Sequence, residues 1–226
     1  QPITDLQTGE PIAYEVLATM KRGDVHLSAS EFIMVAEDLG LVREIDLCVI
    51  GRALEVAPPG IELFMNISLI SFNEKNFGSD LLKLVQPACE AGRPVTIEIT
   101  ERETINLTES LLGEIQALRD VGCKLALDDF GQGYSTYNYL RVFRPEYLKI
   151  DGAFVSKMLD SHADHTIIEH IHALALSFGA VSIAESIENE TLREAVLHMG
   201  VKCGQGYHYA RPAIAEKAFS KTGSAA

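Results

Sequence analysis

The chain has 226 residues, with 19 Lys and Arg against 32 Asp and Glu, for a formal net charge of −13. That balance speaks against a reader of DNA or RNA polymers, which carries a basic face, and against an anionic membrane surface as partner. A small anionic ligand fits only where something local inverts the field. No apolar run approaches the length of a membrane span and no secretory leader opens the chain, while 47% hydrophobic residues are enough for a core that needs no staple. The first residue is Gln1, so the sequence reads as a domain excised from a longer protein. Cys48, Cys89, Cys123 and Cys203 lie far apart without a C-x-x-C motif and read as reduced thiols. The expected compartment for the domain is the cytoplasm, which still allows a membrane anchor elsewhere in the full-length protein.

Apolar periodicity switches between strand and helix character many times. Pro2 to Leu6 reads as a strand, Thr8-Gly9 as a turn and Ile12 to Leu17 as the next strand. A helix starts at Ser30 and stops at Gly40, and a second runs from Val42 to Val56, ended by Pro58-Pro59-Gly60. Ile61 to Ile67 is a strand. Ser79 caps a helix that reaches Ala91, with Pro87 expected to kink it or end it early. Strand Val95 to Ile99 is followed by helix Thr108 to Val121, and strand Lys124 to Leu127 runs into Asp128-Asp129-Phe130-Gly131. A short helix near Thr136 to Val142 precedes strand Tyr147 to Ile150. Helix His165 to Phe178, strand Val181 to Ala184, helix Glu190 to Met199 and a short strand near Lys202 to Gly204 complete the pattern. Residues 1–219 read as one domain and 220–226 as a flexible tail.

Strand–helix alternation at this length is the pattern of an α/β protein of the TIM (β/α)8 barrel type, with a doubly wound open sheet as the main alternative. The first two strands are joined only by Gln7-Thr8-Gly9-Glu10, too short a connection to return the chain for a parallel neighbour. If they pair, they pair antiparallel, and the barrel is modified by one reversed strand.

The polar residues in or just beyond these strands are Glu15, Asn66, Glu98, Asp128, Asp129, Lys149 and Glu185, then Glu188 and Gln205. In a barrel the C-terminal strand ends converge on one mouth. Burying several carboxylates together is prohibitive unless a cation compensates. An all-oxygen set selects a hard cation, Mg²⁺ or Mn²⁺, with Ca²⁺ able to fit, and the absence of His and Cys from these ends speaks against zinc. Two ions with a water between them would use the set for phosphate-ester hydrolysis, with Lys149 near the water or the phosphoryl oxygens. A rival cluster, His162, His165, Glu169 and His172, has helical spacing but no closed ligand shell.

These residues sit in motifs that resemble the EAL domain family, bacterial phosphodiesterases for cyclic di-GMP. The signature tripeptide stands as Glu15-Val16-Leu17. Asn66-Ile67-Ser68, Glu98-Ile99-Thr100-Glu101, Asp128 to Ser135, Leu148-Lys149-Ile150-Asp151, Ala184 to Glu188 and Gln205-Gly206-Tyr207 match further family motifs, over almost the whole chain. The resemblance implies a modified TIM barrel with one antiparallel strand and hydrolysis of cyclic di-GMP to linear pGpG, with Mg²⁺ or Mn²⁺ as cofactor and Ca²⁺ inhibitory. It implies metal ligands at Glu15, Asn66, Glu98, Asp128, Asp129 and Glu185. Catalytic roles fall to Lys149, Glu185 and Glu15, and ligand contacts to Gln1, Leu17, Glu188 and Gln205. Glu101 is implied to hold the loop from Phe130 to Ser135. A homodimer and an upstream GGDEF or sensory domain follow in the same way.

The sequence departs from the family at three places: Val16 for Ala, Gln132 for Thr, and Thr19 where the family often has an arginine that grips a ligand phosphate. None removes a metal ligand. Losing the arginine weakens binding by ~1.5–3 kcal/mol, with Lys21 or Arg22 as candidate substitutes. A weakly active or inactive domain that serves as a cyclic di-GMP receptor is the alternative function.

Overall fold

Short half-apolar strands must hide one face and pair both edges, and this chain does so by closing its sheet on itself. The computed structural model describes residues 1–23, 25–100, 107–131 and 136–219. In chain order the strands are β1 (Pro2–Asp5), β2 (Pro11–Val16), β3 (Thr19–Arg22), β4 (Val25–Ser28), β5 (Glu62–Ile67), β6 (Val95–Thr100), β7 (Lys124–Phe130), β8 (Tyr147–Ile150), β9 (Val181–Ala184) and β10 (Cys203–Gly204). The helices are α1 (Ala29–Asp38), α2 (Val42–Val56), α3 (Phe77–Glu90), α4 (Glu109–Asp120), α5 (Thr136–Phe143), α6 (Gly152–Val155), α7 (His162–Ser177), α8 (Glu190–His198) and α9 (Ala215–Phe219). The closed barrel runs β1-β10-β9-β8-β7-β6-β5-β2. β1 is antiparallel to both neighbours, and every other neighbouring pair is parallel. The reversed strand is therefore β1, as the short Gln7–Glu10 connection requires. Among the described residues no helix is long and apolar enough to cross a membrane.

Strand alternation sorts the side chains into two cores. Residues such as Leu63, Met65, Ile97, Leu127 and Leu148 face the helices and join the large outer core. Ile3, Ala13, Phe64, Ala126 and Ile183 form a separate small cluster, the apolar middle of the barrel lumen. One step toward the strand starts, the lumen holds Glu62, Thr96, Lys124 and Tyr147. There Glu62 accepts from Thr96 (2.8 Å), Lys124 (2.9 Å) and the Tyr147 hydroxyl (3.2 Å). One step toward the strand ends, it holds Glu15, Asn66, Glu98, Asp128 and Lys149, two residues on from members of the lower layers.

Several boundaries differ from the expected ones. α1 begins at Ala29, because Ser28 is the cap and Glu31 accepts from the Ser28 N–H at 2.7 Å. α3 begins at Phe77 and runs through Pro87 to Glu90. Pro87 lies on the exposed side of this amphipathic helix, so the carbonyl it leaves without a donor meets water. α7 starts at His162, three residues early, where Ser161 accepts from the Asp164 N–H at 3.2 Å. The β3–β4 hairpin, α6 and α9 carry no strong periodic signal and add to the expected pattern. Phe219 of α9 packs edge-on to Tyr14 with 5.2 Å between ring centroids, joining the end of the described chain to β2.

Candidate active site

The mouth is assembled by register. Asn66 of β5 pairs with Glu98 of β6, and Thr100 of β6 with Asp128 of β7, so inward-facing polar residues stack around one ring. β1 runs the other way, which brings its start to the mouth; Gln1 lies there, and its amide donates to the Ala210 carbonyl at 3.0 Å. Two consecutive residues of a strand normally face opposite sides. Asp129 escapes that rule because its φ is +54°, a left-handed value, beside a register shift between Leu127 and Phe130. The carboxylates of Asp128, Asp129 and Glu185 thereby come within 4.8 Å of one another, as do those of Glu15, Glu98 and Asp128.

Lys149 stands at the centre with 0% of its side chain exposed. Its Nζ lies 3.3 Å from Glu15, 3.1 Å from Glu98, 3.0 Å from Asp128 and 2.9 Å from Glu185. An ammonium has three N–H groups, so it cannot serve four carboxylates at once. Asn66 donates its Nδ2 to Glu15 at 3.2 Å and to Glu98 at 2.9 Å. Gln205 donates to Glu15 at 2.7 Å and to Glu185 at 3.4 Å. Glu98 Oε1 and Asp128 Oδ1 are buried against the Lys149 ammonium, and among the described residues Gln205 Oε1 is a buried oxygen without a hydrogen bond.

The charge imbalance shows in the ionisation of the group. Burial pushes the Glu98 carboxyl well above its ordinary range, and the neighbouring Glu15 and Asp128 charges add to this against the opposing pull of Lys149. Burial likewise raises Glu185, to about 8, with Lys149 opposing and Asp128 and Glu15 adding. Burial also acts to raise Glu15, but the Lys149 charge and the Gln205 hydrogen bond outweigh it and hold that carboxyl below its usual value. Lys149 is held firmly protonated: burial disfavours its charge, and the Glu15, Glu185, Glu98 and Asp128 charges overcome it.

A cleft of about 240 Å³ opens beside the cluster, lined by Gln1, Glu185, Ser186, Glu188, Gln205, Gly206 and Tyr207. Of the anticipated ligand contacts, Gln1, Glu188 and Gln205 meet in it. Leu17 lies just past β2, 42% exposed and outside that lining. Glu101 and Gln132 lie outside the described residues. Ser186, Gly206 and Tyr207, which stand in matching motifs but carry no expected contact role, line the cleft as well. A signal was present in Gly206: a Cβ there would stand 2.1 Å from the Ile187 carbonyl oxygen, so only glycine lets the Gln205 segment close on the Glu185–Glu188 segment. Arg211 lies over the Tyr207 ring, 4.2 Å from its centroid.

The histidine cluster does not assemble. His172 bonds Ser182 at 2.7 Å, His162 bonds Thr166 at 3.0 Å, and His165 stands 3.8 Å from Glu169. Thr19 is exposed at the start of β3, opposite Ser28 in the hairpin.

The family model described as EAL domain matches residues 1–212. Cyclic di-GMP phosphodiesterase PdeF of Escherichia coli K12 is 32% identical over 219 residues, which cover 94% of this chain and 29% of that protein. The EAL enzyme Bd1971, solved with cAMP and cyclic di-GMP, superposes with a TM-score of 0.88 at 24% identity, over 98% of this chain and 63% of that one. An EAL domain protein from Listeria monocytogenes EGD-e superposes with a TM-score of 0.85 at 25% identity, over 98% of this chain and 90% of that one. The chain thus spans less than a third of PdeF and under two thirds of Bd1971.

Proposed function

This chain belongs to the EAL domain family, and from that premise we propose that it binds cyclic di-GMP at the barrel mouth and hydrolyses one phosphodiester bond to give linear pGpG. The observation that carries this reading is the surplus of buried acid: four carboxylates stand around one lysine, whose single positive charge cannot balance them. Such a donor set fits Mg²⁺ or Mn²⁺. Glu15, Asn66, Glu98, Asp128, Asp129 and Glu185 would hold two ions. Ions so bound supply a water of lowered pKa and neutralise charge on the phosphoryl oxygens.

The protein's own groups do the rest. Lys149, fixed and protonated, directs N–H groups at the attacking water or the phosphoryl oxygens. Glu185 forms the border between the cluster and the cleft and is placed to take a proton from that water. Gln205 bridges Glu15 and Glu185 by donating to both from one amide nitrogen. Gln1, Glu188 and the face of Tyr207 border the space for the dinucleotide.

A receptor that binds without cleaving is favoured by one observation, Thr19 at the position of the phosphate-gripping arginine. We assign residues 1–219 to a single catalytic unit that acts in the cytoplasm, pairs with a second copy, and serves a longer protein with a GGDEF or sensory domain. The test is incubation with cyclic di-GMP and Mg²⁺ or Mn²⁺, followed by chromatography for pGpG. Product that disappears in Glu15→Ala is the expected result. Binding without product selects the receptor reading, and no binding overturns both.

A further inference from the structure

At the far end of the barrel, the Sγ atoms of Cys89 and Cys123 lie 3.5 Å apart, although 34 residues separate them in sequence. Cys89 is the penultimate residue of α3, and Cys123 immediately precedes β7. Both backbones are fixed. The Gly92 N–H donates to the Cys89 carbonyl at 2.9 Å, and the Cys123 N–H donates to the Leu118 carbonyl at 3.0 Å. The two thiols face each other across a packed boundary, Cys89 half-buried and Cys123 buried. Neither belongs to the mouth chemistry, and all four cysteines are free thiols.

We propose that Cys89 and Cys123 form a disulfide-forming pair, closed by thiol–disulfide exchange with a small disulfide such as oxidised glutathione. A disulfide bond is about 2.05 Å long with a required twist near 90°. The sulfurs must approach by roughly 1.5 Å from their contact distance of 3.5 Å. Cys89 is the entry point because it alone of the two reaches solvent. The hydrogen bond between the two thiols holds the Cys89 thiol below its ordinary pKa, against burial and the Glu90 charge, whereas Cys123 is raised. Cys89 thiolate attacks one glutathione sulfur and expels the first glutathione thiolate. Cys123 then loses its proton to water, attacks the Cys89 sulfur and expels the second. The two protein thiols lose two electrons and two protons, and one oxidised glutathione becomes two reduced molecules.

The closed bond would tie the end of α3 to the entry of β7, the strand that carries Asp128 and Asp129. It lies at the strand-start side, where changes act on stability rather than chemistry. It is therefore expected to raise the unfolding temperature by roughly 5 °C or more.

The test uses the whole chain, folded, exposed to oxidised glutathione, quenched in acid and mapped without reductant. The expected result is a Cys89–Cys123 linked peptide that reductant reverses, with a raised Tm that Cys89→Ser or Cys123→Ala abolishes and Cys48→Ser leaves in place. The proposal is overturned if Cys123 is recovered as a free thiol while Cys89 carries glutathione. It is equally overturned if the link forms only in urea-unfolded chain.

Discussion

The barrel has a lysine at each end of its lumen, and the two are treated differently. Lys124, at the strand starts, meets one carboxylate, Glu62, and shares it with Thr96 and Tyr147, which also stacks against Phe64. Charges there balance, Glu62 accepts from all three neighbours, and the lysine is partly exposed. Lys149, at the strand ends, is fully buried among four carboxylates and cannot satisfy them. The first arrangement closes a barrel. The second leaves a deficit of positive charge that folding alone does not repair. The balanced and the unbalanced cluster are thus separated by one apolar layer, Ile3, Ala13, Phe64, Ala126 and Ile183.

The largest effect that would break this comparison is at Lys149. Lys149→Met leaves the acids without their cation and should cost the metal-free chain about 3–5 kcal/mol, with much of the loss recovered in Mg²⁺; urea unfolding in chelator and in Mg²⁺ measures both. Lys124→Met should cost only about 1 kcal/mol, equally with and without metal, and leave turnover unchanged. Equal metal sensitivity of the two variants would erase the distinction. Next in size is Asp128→Asn, which removes an acid shared by both carboxylate groups and should lower the rate of pGpG formation at least ~100-fold, the equivalent of about 3 kcal/mol of transition-state stabilisation.

A third prediction concerns pH. Glu185, raised from 4.5 to about 8, and Glu98, also raised, bind protons more tightly folded than unfolded. The folded state then holds more protons than the unfolded one between pH 4.5 and about 8, so stability falls as pH rises through that window. Thermal unfolding in chelator at a series of pH values should show the fall, and saturating Mg²⁺ should flatten it. A metal-free chain that gains stability from pH 5 to 8 would contradict the account. The last effect is at Thr19: Thr19→Arg should tighten cyclic di-GMP at least about ten-fold, read by calorimetry, and unchanged affinity would mean that another group already holds the phosphate.

Much of this was legible in the sequence. The alternating strands, the reversed β1 and the ring of Glu15, Asn66, Glu98, Asp128, Lys149 and Glu185 follow from periodicity, one short connection and strand-end chemistry. The hidden parts depend on backbone conformations or contacts that periodicity does not carry. Asp129 joins Asp128 through a positive φ that an Asp-Asp pair does not announce. The cleft depends on Gly206 meeting Ile187, two segments nearly twenty residues apart in sequence. The helix through Pro87 depends on which side of α3 meets water, and the Cys89–Cys123 contact on where the end of α3 meets the residue before β7. Local spacing is blind to each.

The central claim is that the acid surplus at the mouth is a divalent-cation site. The most direct measurement is thermal unfolding of chelator-stripped chain across a Mn²⁺ titration, with Asp128→Asn in parallel. The account predicts a Tm that climbs with Mn²⁺ in the unaltered chain, as mass action requires for a ligand of the folded state, and stays nearly flat in the variant. A flat response in the unaltered chain, or an equal climb in both, would contradict it.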